Sequence, residues 1–196
     1  TFSADYQIFG SNKRFKPSTL FKMARSKAYL FSGVEIKWRC AEQCIQKQEN
    51  IPLIARFHFP GGLADYLAEN LKSNQTYAPS AFSGKILFGE KFKDNTIGSV
   101  EWAINWTPQR DGFVSSYCNT IPTVEGGTHE IGFWTAILKG VKSFGELIGN
   151  KKSSQIIRED IMSGGCTLVS VFIREPEFLG QTKDRLATSE VSRLVE

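Results

Sequence analysis

The hydrophobic and polar positions of this chain follow a helical period in some segments and a strand period in others. Apolar residues recur at helical spacing after Pro17 and again after Thr128, where the apolar stripe is the longest in the chain. Strict alternation, typical of a half-buried strand, marks residues 34–39 and 99–107. Apolar runs predict further strands at residues 53–59, 84–93, 113–118 and 166–174.

Shorter patterns complete the predicted order of elements. They predict a strand and a turn within residues 1–9 and short helices at residues 62–71 and 153–162. Near the end of the chain, Thr182 is placed to cap a helix over residues 183–186. The strands at residues 84–93, 99–107 and 113–118 are expected to be antiparallel neighbours. Antiparallel strands together with separate helices indicate the α+β class.

Polar side chains that follow the last predicted strand suit a phosphate group. Gln181 offers two amide donors, Thr182 offers a hydroxyl and Lys183 offers a compact positive charge. A helix starting at Thr182 would add free backbone N–H groups that face the loop. Polar loops mostly lie on the solvated surface, so the residues alone favour a plain surface loop over a phosphate site.

Composition and charge narrow the class of protein only slightly. The formal net charge of +4 is compatible with a nucleic-acid partner, but also with an ordinary solvated surface. No apolar run approaches the ~20 residues of a membrane helix, and no signal peptide opens the chain. We therefore expect a cytoplasmic protein without a membrane partner, and the start without Met suggests a fragment of a longer one.

Cysteine and histidine positions do not predict a metal site. The sequence has four cysteines and two histidines. Cys40 and Cys44 alone have a loose ligand spacing, and no second close pair follows them. Reduced thiols are the simpler interpretation, and no metal ligand is nominated.

Two further polar motifs are predicted to be structural. Residues 126–130 resemble a strand-to-helix joint, in which glycines allow close backbone approach and Thr128 caps the long helix. His129 and Glu130 do not form an acid–base pair, because adjacent residues point to different sides of a helix. The carboxylates of Glu159 and Asp160 are predicted to be solvated or to cap a helix.

Several segments resemble signature motifs of the B subunits of bacterial type II DNA topoisomerases. Residues 176–183 are similar to the lysine loop of that family, and residues 117–133 are similar to a second signature. Residues 28–36 and 119–123 are more similar to the topoisomerase IV branch than to the DNA gyrase branch. The other matching segments, in the same order as in the family, are residues 61–67, 158–161 and 170–171.

The resemblance implies that residues 1–196 form one transducer domain, which follows the ATP-binding domain of the same polypeptide. It implies a ribosomal-protein-like fold with a mixed or antiparallel sheet and helices on one face. It also implies a left-handed βαβ crossover, where general rules favour a right-handed one.

The resemblance also implies a function, in which Gln181 and Lys183 contact the γ-phosphate of ATP and Lys183 has a catalytic role. The general base and the Mg²⁺ ligand are expected in the preceding domain, so the isolated chain is expected to be inactive, with an exposed and mobile lysine loop. The parent is implied to be an ATP-dependent topoisomerase that decatenates DNA and relaxes supercoils. Its implied partners are DNA, the A subunit of topoisomerase IV, the ATP-binding domain of the same polypeptide, and a second copy of the B subunit.

Two other classes of protein stay open. The chain could be a stand-alone nucleic-acid-binding module, since one fold serves many functions. It could also come from a related ATPase that shares the fold, such as a mismatch-repair clamp or a chaperone. Those proteins are not expected to carry residues 125–129 upstream of their lysine loop.

Overall fold

A computed structural model describes residues 5–10, 15–45, 50–72, 74–89, 98–109 and 112–196. Contacts divide the chain into two compact units, Thr1–Gly62 and Leu63–Glu196, and each is described by itself. Residues 1–4 of the predicted first strand and residues 90–93 of the strand predicted at 84–93 lie outside the described residues. The assignment of residues 1–196 to a single domain stays a prediction.

Unit 1, in its described residues, has a helix packed on a two-stranded antiparallel sheet. Its elements in chain order are α1 (Tyr6–Phe9), α2 (Pro17–Leu30), β1 (Glu35–Arg39), a 3-10 turn (Glu42–Cys44) and β2 (Ile54–His58). Phe21 of α2 contacts Trp38 and Phe57 edge to face, with ring centroids 5.4 and 5.1 Å apart. Trp38 and Phe57 lie on one face of the strand pair, which fixes where the helix packs.

The first element of unit 1 corrects a prediction. Residues 1–9 were expected to form a strand and a turn, but residues 6–9 form α1, whose first turn is capped by the Asp5 carboxylate, which accepts a hydrogen bond from the Gln7 amide at 2.7 Å. Such a side-chain cap stabilises a helical turn that apolar periodicity alone does not indicate. The helix that begins at Pro17 and the strand within residues 34–39 are confirmed.

Unit 2 is built on a five-stranded mixed sheet. The strands are β3 (Phe82–Leu87), β4 (Gly98–Trp106), β5 (Phe113–Cys118), β6 (Ile121–Pro122) and β7 (Gly165–Ile173), in the spatial order β3-β4-β7-β5-β6. β7 pairs antiparallel with β4 and parallel with β5. The α+β class is confirmed, but β4 and β5 are not antiparallel neighbours, because the more apolar β7 inserts between them.

Helices cover both faces of this sheet. They are α3 (Leu63–Leu71), α4 (Thr128–Leu147), α5 (Arg158–Met162) and α6 (Glu190–Val195), with a 3-10 turn at Lys151–Gln155. The Leu63 amide of α3 donates to Glu101 at 3.4 Å, whereas Trp134 of α4 lies against Gly165. Gly165 pairs with Trp106, so α4 lies on the Trp106 face of the sheet. Strand alternation places Glu101 on the opposite face, which is therefore the face that α3 covers. The expectation of helices on one face is therefore wrong.

The main core of unit 2 lies between the sheet and α4. Phe133 and Trp134 pack there against β4 and β7, and Trp134 is almost fully buried. Burial of each such large apolar side chain stabilises a fold by about 1.5–3 kcal/mol. β7 is buried over seven consecutive residues, because it is a central strand with a helix on each face. No helix in the described part of the chain is long and apolar enough to cross a membrane.

Candidate functional site

The lysine-bearing loop is the tip of a small β-hairpin rather than the start of a helix. β8 (Phe178–Leu179) pairs antiparallel with β9 (Arg185–Leu186), and residues 180–184 connect the two strands. The φ angles of +78° at Gly180 and +61° at Lys183 turn the chain back on itself. The helix predicted over residues 183–186, with Thr182 as its cap, is wrong, because β9 is held extended by its pairing with β8.

The side chains of Gln181 and Lys183 are both exposed at this tip, as the sequence predicts for the chain by itself. The Lys183 ammonium lies 5.8 Å from the centroid of the Phe178 ring, within the range of a cation–π interaction. These residues and Gly180 line an open concavity of about 380 Å³. Its lining offers amide and ammonium donors and no carboxylate, so it suits an anion such as a phosphate group.

The hairpin is bonded through its backbone to residues 125–127, which lead into α4. The Glu125 amide donates to the Asp184 carbonyl at 2.9 Å, and the Leu186 amide donates to the Gly126 carbonyl at 3.1 Å. Gly127 forms a parallel β-bridge with Leu186. The signature segment of residues 117–133 is therefore joined to the hairpin whose tip carries Gln181 and Lys183, through residues 184 and 186.

Gly127 is required where the two segments approach each other. Its φ is +146°, and a Cβ at this position would meet the backbone of Leu186, including the amide nitrogen at 2.7 Å. Gly127 is also the N-cap of α4, which has no side-chain cap. The predicted cap at Thr128 is wrong, because the chain has already entered the helix there and its hydroxyl is buried without a partner among the described residues.

Replacing Gly127 with Ala is expected to lower the free energy of unfolding by about 1–3 kcal/mol, because both the φ angle and the contact with Leu186 become strained. Urea unfolding of the 196-residue chain, followed by circular dichroism, measures the change. Gly140→Ala is the matched control, since Gly140 lies in α4 with open space at its Cβ position. The free energy of unfolding of that control should rise by about 0.5–1 kcal/mol. An unchanged midpoint for Gly127→Ala would contradict the close-approach argument.

Three buried polar side chains form a hydrogen-bonded chain next to the turn at residues 123–126 (the glycine turn), which the Gly126 amide closes by donating to the Thr123 carbonyl. Ser116 Oγ lies 2.5 Å from Thr123 Oγ1, which lies 3.1 Å from His129 Nε2. Their exposed fractions are 4%, 2% and 0% respectively. Burial lowers the pKa of His129 to about 4, so its imidazole is neutral at neutral pH. His129 therefore belongs to the strand-to-helix joint, as predicted, rather than to an exposed reaction centre.

Asn119 binds the last residue of β7, a role that its place in the sequence did not predict. Its side-chain amide donates to the Ile173 carbonyl at 2.9 Å, and the Ile173 amide donates back to Oδ1 at 3.0 Å. Its own amide donates to the Val171 carbonyl at 2.9 Å, so the β5–β7 pairing is continued by one side chain. The φ of +49° is a value that Asn tolerates better than most residues. An Asn directly after an apolar strand was the available signal.

Other residues considered for chemistry have structural roles. The Asp160 carboxylate accepts a hydrogen bond from the Ile157 amide at 2.9 Å, which confirms its capping role at the start of α5. The four cysteines are free, and burial raises the pKa of Cys118 to about 12, so that thiol is unreactive at neutral pH. Within the described ranges, no three or more His, Cys, Asp or Glu residues cluster as metal ligands.

Known proteins match the chain over its whole length. A sequence profile of the DNA gyrase B family matches residues 62–196, which correspond to unit 2. The B subunit of DNA topoisomerase 4 from Caulobacter vibrioides is 50% identical over 199 residues, covering 100% of this chain and 28% of the relative. The corresponding protein of Bartonella bacilliformis is 50% identical over 197 residues, covering 100% of this chain and 27% of that relative. The chain thus spans between a quarter and a third of the length of these curated relatives.

A solved structure also matches the fold. The 43K ATPase domain of Thermus thermophilus gyrase B, crystallised in complex with an aminocoumarin, superposes with a TM-score of 0.75 and is 25% identical. The match covers 97% of this chain and 48% of that one.

Proposed function

The chain belongs to the DNA gyrase B family, and on that basis we propose that it is the transducer part of the ATPase subunit of an ATP-dependent type II DNA topoisomerase. The observation that carries the proposal is the hairpin tip, which exposes Gln181 and Lys183 while its base is bonded to residues 125–127. A rigid base with exposed donors is suited to contacting a phosphate held by another domain.

Gln181 and Lys183 act as a sensor of the γ-phosphate of ATP in this proposal. A hydrogen bond to a charged group is worth about 1.5–3 kcal/mol, so two bonds made with ATP and not with ADP differ by about 3–6 kcal/mol. That difference shifts an equilibrium between two domain arrangements by roughly 10²–10⁴-fold. With ATP bound, the ATP-binding domain is held against the transducer and the entry gate is closed on DNA. Hydrolysis separates the two domains and opens the gate.

Lys183 also has a catalytic role in the proposal, because its ammonium stabilises the negative charge that develops on the transferred phosphoryl group. The residues of this chain that fit ATP are the exposed donors of the hairpin tip. Mg²⁺ would neutralise phosphate charge when bound. In this proposal its ligand, and the base that activates water, both belong to the preceding ATP-binding domain. The isolated chain is accordingly proposed to be inactive as an ATPase.

The proposed domain assignment has its support in unit 2. The family profile covers residues 62–196, which include the whole of unit 2 from Leu63 onward. The parallel pairing of β5 with β7, which are joined through α4, supports a βαβ crossover. The ribosomal-protein-like fold and the left hand of that crossover are proposed from the resemblance of the sequence motifs. The transducer domain of residues 1–196 remains our proposal.

Topoisomerase IV is the proposed enzyme, supported by two topoisomerase 4 relatives that are 50% identical to this chain. The proposed activity is decatenation of DNA and relaxation of supercoils in the cytoplasm. Its partners are DNA, the A subunit of topoisomerase IV, the ATP-binding domain of the same polypeptide, and a second copy of the B subunit. The equivalent domain of the DNA gyrase B subunit is the alternative, which the name of the matching family favours.

Chemical modification of Lys183 in the intact subunit tests the sensor directly. A non-hydrolysable ATP analogue with Mg²⁺ should slow acetylation of Lys183 by about tenfold or more, because an ammonium bonded to phosphate is protected, while ADP should not. Mass spectrometry measures the modified fraction, and Lys72, exposed just after α3, is the internal control. Equal protection by ADP and by the analogue would show that Lys183 does not sense the γ-phosphate.

A further inference from the structure

We propose that the buried side chains Ser116, Thr123 and His129 position the hairpin tip that carries Lys183. They fix the turn at residues 123–126, and the turn fixes the backbone beside Lys183. The link to ATP turnover rests on the proposed function, whereas the structural part does not. All three are positioning residues, because none of them reaches the exposed tip.

The first step runs from Lys183 back to the glycine turn. Asp184, the residue after Lys183, accepts the Glu125 amide through its carbonyl at 2.9 Å. Leu186 donates its amide to Gly126 at 3.1 Å and bridges to Gly127. The placement of the tip is therefore set by where residues 125–127 lie.

The second step runs from the glycine turn to Thr123. The Gly126 amide donates to the Thr123 carbonyl at 2.9 Å, which closes the turn. The Ser116 hydroxyl donates to the same carbonyl at 3.1 Å, and the Thr123 amide donates to the Ser116 carbonyl at 2.9 Å. Thr123 is therefore held to β5 by both its backbone and its side chain, and it carries the turn with it.

The third step connects Thr123 to the start of α4. The Thr123 hydroxyl is the hydrogen-bond partner of His129 Nε2 at 3.1 Å, and His129 Nδ1 has no partner among the described residues. A fully buried imidazole that loses its hydroxyl partner has two unsatisfied nitrogens, which is costly in the protein interior. The first turn of α4 then moves to hydrate the ring, and Gly127 moves with it.

Amide hydrogen exchange of the 196-residue chain tests the structural part. Thr123→Val removes the hydroxyl and keeps the shape, whereas Thr123→Ser keeps the hydroxyl. The Val variant should speed exchange at the amides of Glu125 and Leu186 by about tenfold or more and leave Val169, in the central strand, unchanged. The Ser variant should stay near the wild type. Thr135→Val, the same change on the outer part of α4, is the control.

ATP turnover of the full B subunit tests the functional part. Thr123→Val should lower kcat by about tenfold and change KM for ATP less than about twofold, because a displaced Lys183 weakens contacts made mainly in the transition state. Combined with Lys183→Ala, it should add no further loss, since Thr123 acts through Lys183. Ser116→Ala, which removes the other hydroxyl and leaves little cavity, is used if Thr123→Val does not fold.

Each outcome decides one of the two proposals. Faster exchange at Glu125 and Leu186, together with a non-additive loss of kcat, supports the positioning role. Unchanged exchange overturns it, as does an additive loss in the double variant. If Lys183→Ala leaves turnover normal, the proposed function fails, and hydrogen exchange still decides whether the buried chain holds the hairpin.

Discussion

Under the proposed function, Lys183→Ala in the full B subunit is expected to reduce ATP turnover by about 10²–10³-fold, because it would remove a charged donor that is worth most in the transition state. The hairpin itself should survive the change. Lys183 has a φ of +61°, and Ala carries the same Cβ as Lys, so no new backbone strain arises. The hydrogen bonds that anchor the hairpin are made by the backbone of Glu125, Gly126 and Leu186 and do not involve the Lys183 side chain.

Steady-state ATP hydrolysis measures this effect, and the unfolding curve of the variant chain shows that its fold is intact. Lys72→Ala is the matched control, since it removes an exposed lysine of unit 2 that lies outside the hairpin. Lys183→Arg keeps the charge but changes its geometry, so an intermediate rate is expected. Turnover of Lys183→Ala close to that of the wild type would rule out the catalytic role.

The free energy of unfolding of the chain is expected to fall by about 3 kcal/mol between pH 6.5 and pH 4 on account of His129 alone. Burial lowers the pKa of His129 from 6.5 to about 4 in the folded chain. Within this window the unfolded chain binds a proton at His129 and the folded chain does not, so acid favours unfolding. The stability that the neutral imidazole confers is complete above pH 6.5 and lost as the pH falls.

Denaturant unfolding at a series of pH values measures this loss, and two variants isolate it from the carboxylates that titrate in the same range. His129→Gln keeps a donor near Thr123 but does not titrate, so its stability should depend less on pH than that of the wild type. His58→Gln, at the other histidine of the sequence, which is exposed, is the matched control for a change from His to Gln. Identical pH profiles for wild type and His129→Gln would contradict a neutral buried imidazole.

The sequence correctly predicted the helices and strands whose conformation is determined by their own residues. The helix after Pro17 and the long helix of residues 128–147 follow from apolar stripes, and β4 and β7 follow from alternation and a continuous apolar run. Both helices and both strands lie against a packed core. Local pattern and tertiary packing therefore favour the same conformation.

Sequence patterns predict the wrong conformation where a distant partner decides it. Residues 185–186 carry local signals for a helix, but they pair with Phe178 and Leu179 and bond to Gly126, so they form β9. β5 was placed beside β4 because the two are consecutive, and the insertion of β7 between them is set by long-range pairing. Both errors reflect tertiary contacts that override local preference.

The sequence predicted which side chains belong to the candidate site, but it did not predict which segments contact each other there. Gln181 and Lys183 were identified by their donors, and the glycines by their backbone freedom. That residues 125–127 bind the hairpin, and that Thr123 connects His129 to Ser116, could not be deduced, because spacing in a sequence does not show which segments meet. Asn119 was overlooked for the same reason, since its partner Ile173 lies beyond the whole of α4.

The bridge between Gly127 and Leu186 also bears on the order in which the molecule assembles. It joins residues that α4, α5 and β7 separate in the chain, so the entropy of closing that long loop must be offset before the bridge forms. The pairings of β7 with β4 and β5 can offset that entropy, so we expect them to form before the bridge. The glycine turn is synthesised before the hairpin, so it is without its β-bridge partner until the hairpin follows. Lys183 is thus expected to be presented only by a chain whose sheet is complete. Under the proposed function, a partly folded molecule would not respond to nucleotide.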